Sequence, residues 1–174
     1  VCVTIMGAMT QFVPVWSGAD LHSRRLATAQ LWAVSVGLVG LAACFLLGAF
    51  AWLPLFGAAA FLGFWTFAYN VARTLSRLDH YDVTERHFGL ALGFLAVATA
   101  LGLLLAVDFT SPLFAGVGAT HGSVRAAHVT LAVFGVVVTT VVGALYQLAT
   151  MFTQTTLRGV DVWLRRVEEI GYPL

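Results

Sequence analysis

The chain of 174 residues is 60% hydrophobic and only 10% charged, with a mean hydropathy of +0.90 and a formal net charge of +1. Soluble domains usually carry about a quarter charged residues, so this composition excludes an ordinary soluble domain, a disordered chain and a nucleic-acid-binding protein. The two cysteines, Cys2 and Cys44, lie in apolar runs and indicate neither a disulfide framework nor a metal site.

Long intervals without charge predict the membrane segments in chain order. No Asp, Glu, Lys or Arg occurs in residues 1–19, 26–72, 87–107 and 126–157. Because the hydrocarbon core of a bilayer needs about 20 helical residues, we predict four full spans, at 26–48, 54–73, 87–107 and 126–151. A tight turn between Gly48 and Pro54 is expected to join the first two. The runs lack the alternation of barrel strands, so every span is predicted to be helical.

The segment at the start of the chain is too short to cross a bilayer. Only residues 1–13 precede Pro14, so we interpret this segment as the end of a transmembrane helix whose beginning is missing, and the chain as part of a longer protein. A signal peptide is the competing interpretation, but no basic region precedes the apolar residues.

The predicted fold is therefore all-α: a polytopic transmembrane helix bundle over residues 1–157, with about five membrane segments of which the first is incomplete. Residues 158–174 are predicted to form an amphipathic helix on the cytoplasmic membrane surface. This prediction rests on apolar residues that recur at helical spacing between charged ones: Val160, Trp163, Leu164, Val167 and Ile170.

The arginines predict the orientation of the bundle. With alternating spans, Arg125 falls on one side of the membrane, and the other eight fall on the opposite side: Arg24, Arg25, Arg73, Arg77, Arg86, Arg158, Arg165 and Arg166. The positive-inside rule places the larger group in the cytoplasm. We therefore expect a multi-pass protein of a prokaryotic plasma (inner) membrane, with its N-terminus outside and its C-terminus cytoplasmic.

Polar residues inside a span are costly and are functional candidates. His128 lies about one turn into the last span, where an imidazole can be a heme axial ligand, another metal ligand or a hydrogen-bonded structural group. Arg125, three residues earlier on the same side of the helix, can pair with heme propionates or anchor the helix at the interface.

The remaining polar residues suggest structural roles. We interpret His22, His80 and His121 as solvated loop histidines, and His87 as a residue that caps its helix or reaches the membrane surface. A polar stripe facing into the bundle is predicted from Thr66, Tyr69 and Asn70. Such a stripe can be a proton or water path, or it can form hydrogen bonds between helices.

The stretch Ala127-His128-Val129-Thr130, followed by Gly135, resembles the tenth helix of subunit I of the heme–copper oxidases, especially the cbb-type. Other matches follow in the expected order, with the family's sixth, seventh and eighth helices: Gly7, Met9, Phe12 and Pro14, then Ser23-Arg24-Arg25-Leu26 and Trp32, then Trp65 and Asn70. The resemblance covers residues 1–157 as helices six to ten. It implies a heme b on His128, the position of the family's high-spin heme ligand.

Departures from the family pattern shape what the resemblance implies. The span 26–48 contains no histidine, whereas the family holds copper with two histidines there. Thr130 stands where the family has its low-spin heme ligand, and a third copper ligand would precede Val1. The resemblance therefore implies a divergent relative with a single heme and no copper centre.

The leading functional hypothesis is an integral membrane heme-binding protein, a redox or gas-binding respiratory subunit; whether it is an enzyme stays open. The expected partners are the lipid bilayer, the rest of a longer chain or other membrane subunits, and an electron-donor protein. The alternative is a non-catalytic structural or assembly subunit that has lost its cofactors. A small-molecule transporter is disfavoured because charged residues within the spans are scarce.

Overall fold

Helices account for the regular secondary structure of the described residues. The computed structural model describes residues 1–115 and 120–155, together with Trp163, Arg166, Val167, Ile170 and Gly171. Within these residues there is no strand, and the five helices are α1 (Cys2–Ser17), α2 (Arg24–Leu47), α3 (Leu53–Leu75), α4 (Val83–Asp108) and α5 (His121–Thr153). The predicted all-α class is confirmed. The amphipathic helix predicted at 158–174 lies outside the described residues, apart from the five tail positions just named.

Four of these helices are long and apolar enough to cross a membrane: α2, α3 with the single 3-10 turn Phe50–Trp52 before it, α4 and α5. The shorter α1 is an apolar helix of 16 residues that continues past Pro14 to Ser17. Large apolar side chains cover the outside of the bundle, among them Val39, which is 70% exposed, and Leu46, which is 85% exposed. Such a surface suits a bilayer and not water.

Local sequence signals explain where the helices begin and end. Gly48 ends α2 in the left-handed conformation (φ 66°), which only glycine adopts without strain, and Pro54 lies in the first turn of α3. The turn predicted between these two residues is confirmed. Ser23 caps the start of α2 by accepting a hydrogen bond from the Leu26 N–H, and Thr120 caps α5 in a reciprocal pair with Ser123.

The helices α2, α3 and α4 form an antiparallel row. Helix α1 packs on α2 and α3, and α5 packs on α4. We call the end of the bundle with the loops 18–23 and 76–82 the Asn70 end, and the opposite end, with residues 48–52 and 109–115, the His121 end.

The described arginines of the bundle follow this division. Arg125 belongs to the His121 end, and five others belong to the Asn70 end: Arg24, Arg25, Arg73, Arg77 and Arg86. Arg158 and Arg165 lie outside the described residues. The predicted grouping of arginines therefore agrees with the helix order as far as the structure describes it.

The last helix departs from regular α-helical geometry at its centre. Leu131–Val138 is a π-helix, between α-helical turns on either side. Twelve residues of a regular α-helix complete three and one third turns, so His128 and Thr140 would otherwise lie on different faces. The wider π turns bring both residues to the wall of one cavity.

Candidate functional site

A cavity of about 430 Å³ lies between α1 and α5, over a floor made by α3 and α4, and residues of α2 complete its lining. This volume is in the range of small-molecule and cofactor sites, roughly 300 to 1,000 Å³. Most of the lining is apolar and comes from Phe, Leu, Val, Ile, Ala and Met side chains. The polar side chains of the lining include Thr99, His121, Arg125, His128 and Thr140.

Three of these polar residues share one face of α5. His121, Arg125 and His128 are spaced by four and then three residues, which is the spacing of successive turns on one helix face. All three line the cavity. The structure thus places both predicted site residues, His128 and Arg125, on the same wall, and adds His121 to them.

The ring of His128 is held in a defined orientation. Its Nδ1 lies 2.7 Å from the carbonyl oxygen of Ala98 in α4. A carbonyl can only accept, so Nδ1 carries the hydrogen and donates it, and the lone pair of the neutral ring lies on Nε2. No described residue forms a hydrogen bond with Nε2. An imidazole that is fixed through one nitrogen and has its second nitrogen free is in the form that ligates metals.

Gly102 makes this orientation of the ring possible. A Cβ atom at position 102 would lie 2.9 Å from Cε1 and 3.3 Å from Nδ1 of His128, closer than packed atoms normally approach. The absence of a side chain therefore lets the imidazole approach α4 closely enough to reach the Ala98 carbonyl. Position 102 thus controls how the candidate ligand is oriented.

Arg125 lies one turn from His128, toward the His121 end. Its side chain is exposed, and no hydrogen bond or ion pair joins it to another residue in the described part of the chain. A guanidinium always carries its charge and binds carboxylates with two parallel hydrogen bonds. Its position at the rim of an apolar cavity is suited to the acidic edge of an otherwise apolar ligand.

His121 is not the solvated loop histidine that we expected. It begins α5, and its Nδ1 donates to Oδ2 of Asp108 at 2.8 Å while its ring meets the edge of Phe109. The other carboxylate oxygen of Asp108 accepts from the N–H groups of Leu113 and Phe114, at 2.7 and 3.3 Å. Asp108 therefore ties the loop after α4 to the start of α5. The regular spacing of residues 121, 125 and 128 was the signal that could have placed His121 in the site.

The predicted inward stripe of α3 is wrong in part. Asn70 is fully buried, but Tyr69 is 53% exposed and Thr66 bonds only to the Leu62 carbonyl of its own helix. Asn70 accepts from the Ser23 N–H and donates to the Ser23 carbonyl, each at 3.0 Å. Its role is therefore to join α3 to the loop before α2, which is the hydrogen-bonding alternative and not a proton path.

His87 also lies elsewhere than expected. It is 4% exposed, and its Nδ1 donates to the Val83 carbonyl at 2.8 Å. Its Cβ fills the space left by Gly143, and its ring is tilted against that of Tyr146. This histidine packs α4 against α5 instead of reaching the membrane surface.

The potential metal ligands of the described residues lie apart from one another. In residues 1–115, 120–155 and the described tail positions, no three His, Cys, Asp or Glu side chains come together to hold a metal ion. Cys44 of α2 is buried in an apolar cluster with Leu53 and Ala106.

Comparison of the chain with protein-family models, with curated proteins and with solved structures gives no match. The resemblance to heme–copper oxidase subunit I therefore depends only on the local sequence matches, such as Ala127-His128-Val129-Thr130 followed by Gly135. The assignment of a function depends on the chemistry of the cavity.

Proposed function

We propose that this chain is an integral membrane protein that binds a b-type heme through His128, in the cavity between α1 and α5. The observation that carries the proposal is the hydrogen bond from His128 Nδ1 to the Ala98 carbonyl, at 2.7 Å, in a residue that lines the cavity. A bound heme would supply an iron centre that exchanges one electron or binds a small gas molecule.

The chemistry of the cavity fits a heme. The porphyrin ring is apolar and flat, whereas its two propionates are anionic and need polar partners. The cavity is apolar along α3 and α4 and has the guanidinium of Arg125 at one end. We assign Arg125 to the propionates, because a planar guanidinium and a carboxylate form paired hydrogen bonds.

The residues around His128 would orient its ring and set the surroundings of the heme. The Ala98 carbonyl accepts the Nδ1 hydrogen, which fixes the tautomer and the orientation of the ring and leaves Nε2 to ligate the iron. Gly102 leaves room for the ring in this position. The mostly apolar lining would give a bound heme a dry surrounding, which is one of the means by which proteins set reduction potentials.

The resemblance to heme–copper oxidase subunit I refines the proposal. We assign the chain to a divergent relative, with α1 to α5 corresponding to the family's helices six to ten. Helix α2 contains no histidine, and Thr130 cannot replace an imidazole as a heme ligand. The proposed protein is therefore a redox or gas-binding respiratory subunit with one heme and without the copper centre.

The placement in the cell follows from the arginines. We propose that the Asn70 end faces the cytoplasm and the His121 end the outside of a prokaryotic plasma membrane. In this orientation the heme site lies nearer the outer surface. The proposed partners are other membrane subunits and an electron-donor protein.

The experiment is a visible absorption spectrum of the full chain, expressed with a supply of heme and purified in detergent. We expect a heme spectrum for the wild type, its loss in His128→Ala and its retention in His80→Ala. His80 is the matched control because it is exposed and bonds only to the Asp79 carbonyl.

The possible outcomes separate the two functions. A His128→Ala protein that inserts normally and keeps the wild-type spectrum would exclude His128 as the ligand. A wild-type protein that binds no heme under these conditions would favour the alternative, a structural or assembly subunit without cofactors.

A further inference from the structure

The walls of the cavity contain few groups that can ligate iron. Of the described residues that line it, only five carry an imidazole or a sulfur atom: Cys2, Met6, Met9, His121 and His128. The two histidines belong to α5, and the three sulfur side chains belong to α1, across the cavity. An iron held by His128 therefore faces a wall whose potential ligands are all sulfur atoms.

One contact between aromatic rings gives a common reference point for positions along α1 and α4. Trp16 of α1 stacks against Phe88 of α4, with ring centroids 6.1 Å apart, and this contact lies toward the Asn70 end of both helices. From there α1 and α4 run in opposite chain directions. Met6 is ten residues before Trp16 and Ala98 is ten residues after Phe88, so each lies about 15 Å further toward the His121 end.

Met6 and Ala98 therefore lie at the same height in the bundle. Ala98 is the residue whose carbonyl holds the imidazole of His128. Met6 and His128 thus occupy the same level on opposite walls of one cavity. The side chain of Met6 is 4% exposed, so its thioether is shielded from the outside of the bundle.

The other candidates lie at different heights. Met9 is about 4.5 Å nearer the Asn70 end, by the helical rise. Cys2 is about 6 Å nearer the His121 end, level with Gly102, but its side chain is exposed whereas that of Met6 is buried. His121 is two turns from His128 on the same wall, and its Nδ1 is bonded to Asp108. Of the sulfur side chains, Met6 is therefore the buried one whose height matches that of the Ala98 carbonyl, and it lines the same cavity as His128.

We propose that Met6 is the second axial ligand, so that the heme is held between the imidazole of His128 and the thioether of Met6. This inference rests on the proposed heme site. A neutral thioether binds iron without releasing a proton, and it raises the reduction potential of a histidine-ligated heme. With both axial positions occupied by the protein, the site transfers electrons and does not bind gases.

The test compares Met6→Leu with Met9→Leu and Cys2→Ala in the full chain loaded with heme. We expect the wild type to be low-spin, to show a sulfur-to-iron charge-transfer band when oxidised, and to bind no carbon monoxide when reduced. Met6→Leu should keep the heme on His128 and lose the sulfur band. It should also bind carbon monoxide and shift to a lower reduction potential. Met9→Leu and Cys2→Ala should behave like the wild type.

A second variant covers the case in which Met6→Leu does not fold. Met6→His should keep a low-spin heme, with a spectrum typical of two imidazoles and no sulfur band. A high-spin heme in Met6→His would overturn the inference, as would the loss of the sulfur band in Met9→Leu or Cys2→Ala.

The two proposals fail in different ways. Absence of heme from the wild type would contradict the proposed function itself. A wild-type heme that depends on His128, but is high-spin and binds carbon monoxide, would overturn only the role of Met6.

Discussion

Two regions of the bundle are built from similar apolar residues but differ in how closely their helices pack. The seam between α2 and α3 is tightly packed, whereas a cavity separates α1 from α5. At the seam, Gly37 faces the backbone of Ala60, and Gly63 faces the backbone and side chain of Val34. Between α1 and α5 the helices leave a cavity of about 430 Å³. In a bilayer, close helix contact depends on small residues that let backbones approach, because lipid is as apolar as the side chains. The positions of glycines therefore decide which helices touch and which stay apart.

The largest expected effect on stability is at the seam. A Cβ at position 37 would lie 2.7 Å from the Cα and Cβ of Ala60, so Gly37→Leu must force the helices apart. We expect a loss of about 3 kcal/mol in the free energy of unfolding, the upper part of the usual range for overpacking. Unfolding in detergent titrations would measure it. The control is Gly93→Leu, because nothing lies within 4 Å of a Cβ at position 93. Equal losses in the two variants would show that the seam is not a close contact.

The second effect concerns the joint at the Asn70 end. Asn70→Leu removes the partner of the Ser23 N–H and one of the two partners of the Ser23 carbonyl, which still accepts from the Ala27 N–H at 3.2 Å. We expect it to lower the free energy of unfolding by about 2 kcal/mol, since leaving a buried polar group unsatisfied costs about 1–3 kcal/mol. Thr66→Val, which loses only a bond within its own helix, should change the same quantity little. A large effect of Thr66→Val would mean that the stripe of α3 faces inward, as we first predicted.

The third effect concerns heme binding in the cavity between α1 and α5. Gly102→Ala would place a Cβ 2.9 Å from the His128 ring and displace it from the Ala98 carbonyl. Loss of an orienting partner typically weakens metal binding by about 10–100-fold. We expect a weakening of heme binding of at least about tenfold, or about 1.4 kcal/mol, measured by heme titration. Gly89→Ala in the same helix meets no neighbour and should bind heme like the wild type. Unchanged affinity in Gly102→Ala would contradict the proposed orientation of His128.

The smallest effect is expected on α1. A Cβ at Gly7 would meet nothing within 4 Å, so Gly7→Ala is expected to leave packing unchanged. Because alanine favours the helix over glycine by up to about 1 kcal/mol, the variant should be slightly more stable in the same detergent titration. A clear loss of stability would indicate that α1 has a close neighbour at this position.

Much of the fold could be predicted from the sequence. The predicted spans 26–48 and 54–73 differ from α2 (Arg24–Leu47) and α3 (Leu53–Leu75) by at most two residues at each end. This agreement has a physical reason, because a bilayer selects for apolar length, which is a property of consecutive residues. The predicted turn depends on Gly48 and Pro54, whose backbone preferences are equally local.

The site was predicted only in part. The sequence predicts His128 and Arg125 because polar residues near a membrane span are rare. Both line the cavity, and their role in heme binding stays a prediction. His121 was assigned to a solvated loop, because nothing local shows that Asp108, thirteen residues away, is its partner. Asn70 was grouped with Tyr69 and Thr66 on spacing alone, although only Asn70 is fully buried.

The amino-acid sequence alone predicts the helical class, the four long apolar helices and the polar candidates His128 and Arg125. Each of these depends on composition or on residues close together in the chain. The packing of the helices is needed to find that α1 and α5 line one cavity, that the Ala98 carbonyl orients the His128 ring, and that Met6 lines the same cavity. These relations join residues far apart in the chain. They depend on how neighbouring helices slide and rotate, which glycine contacts and the π segment of α5 determine.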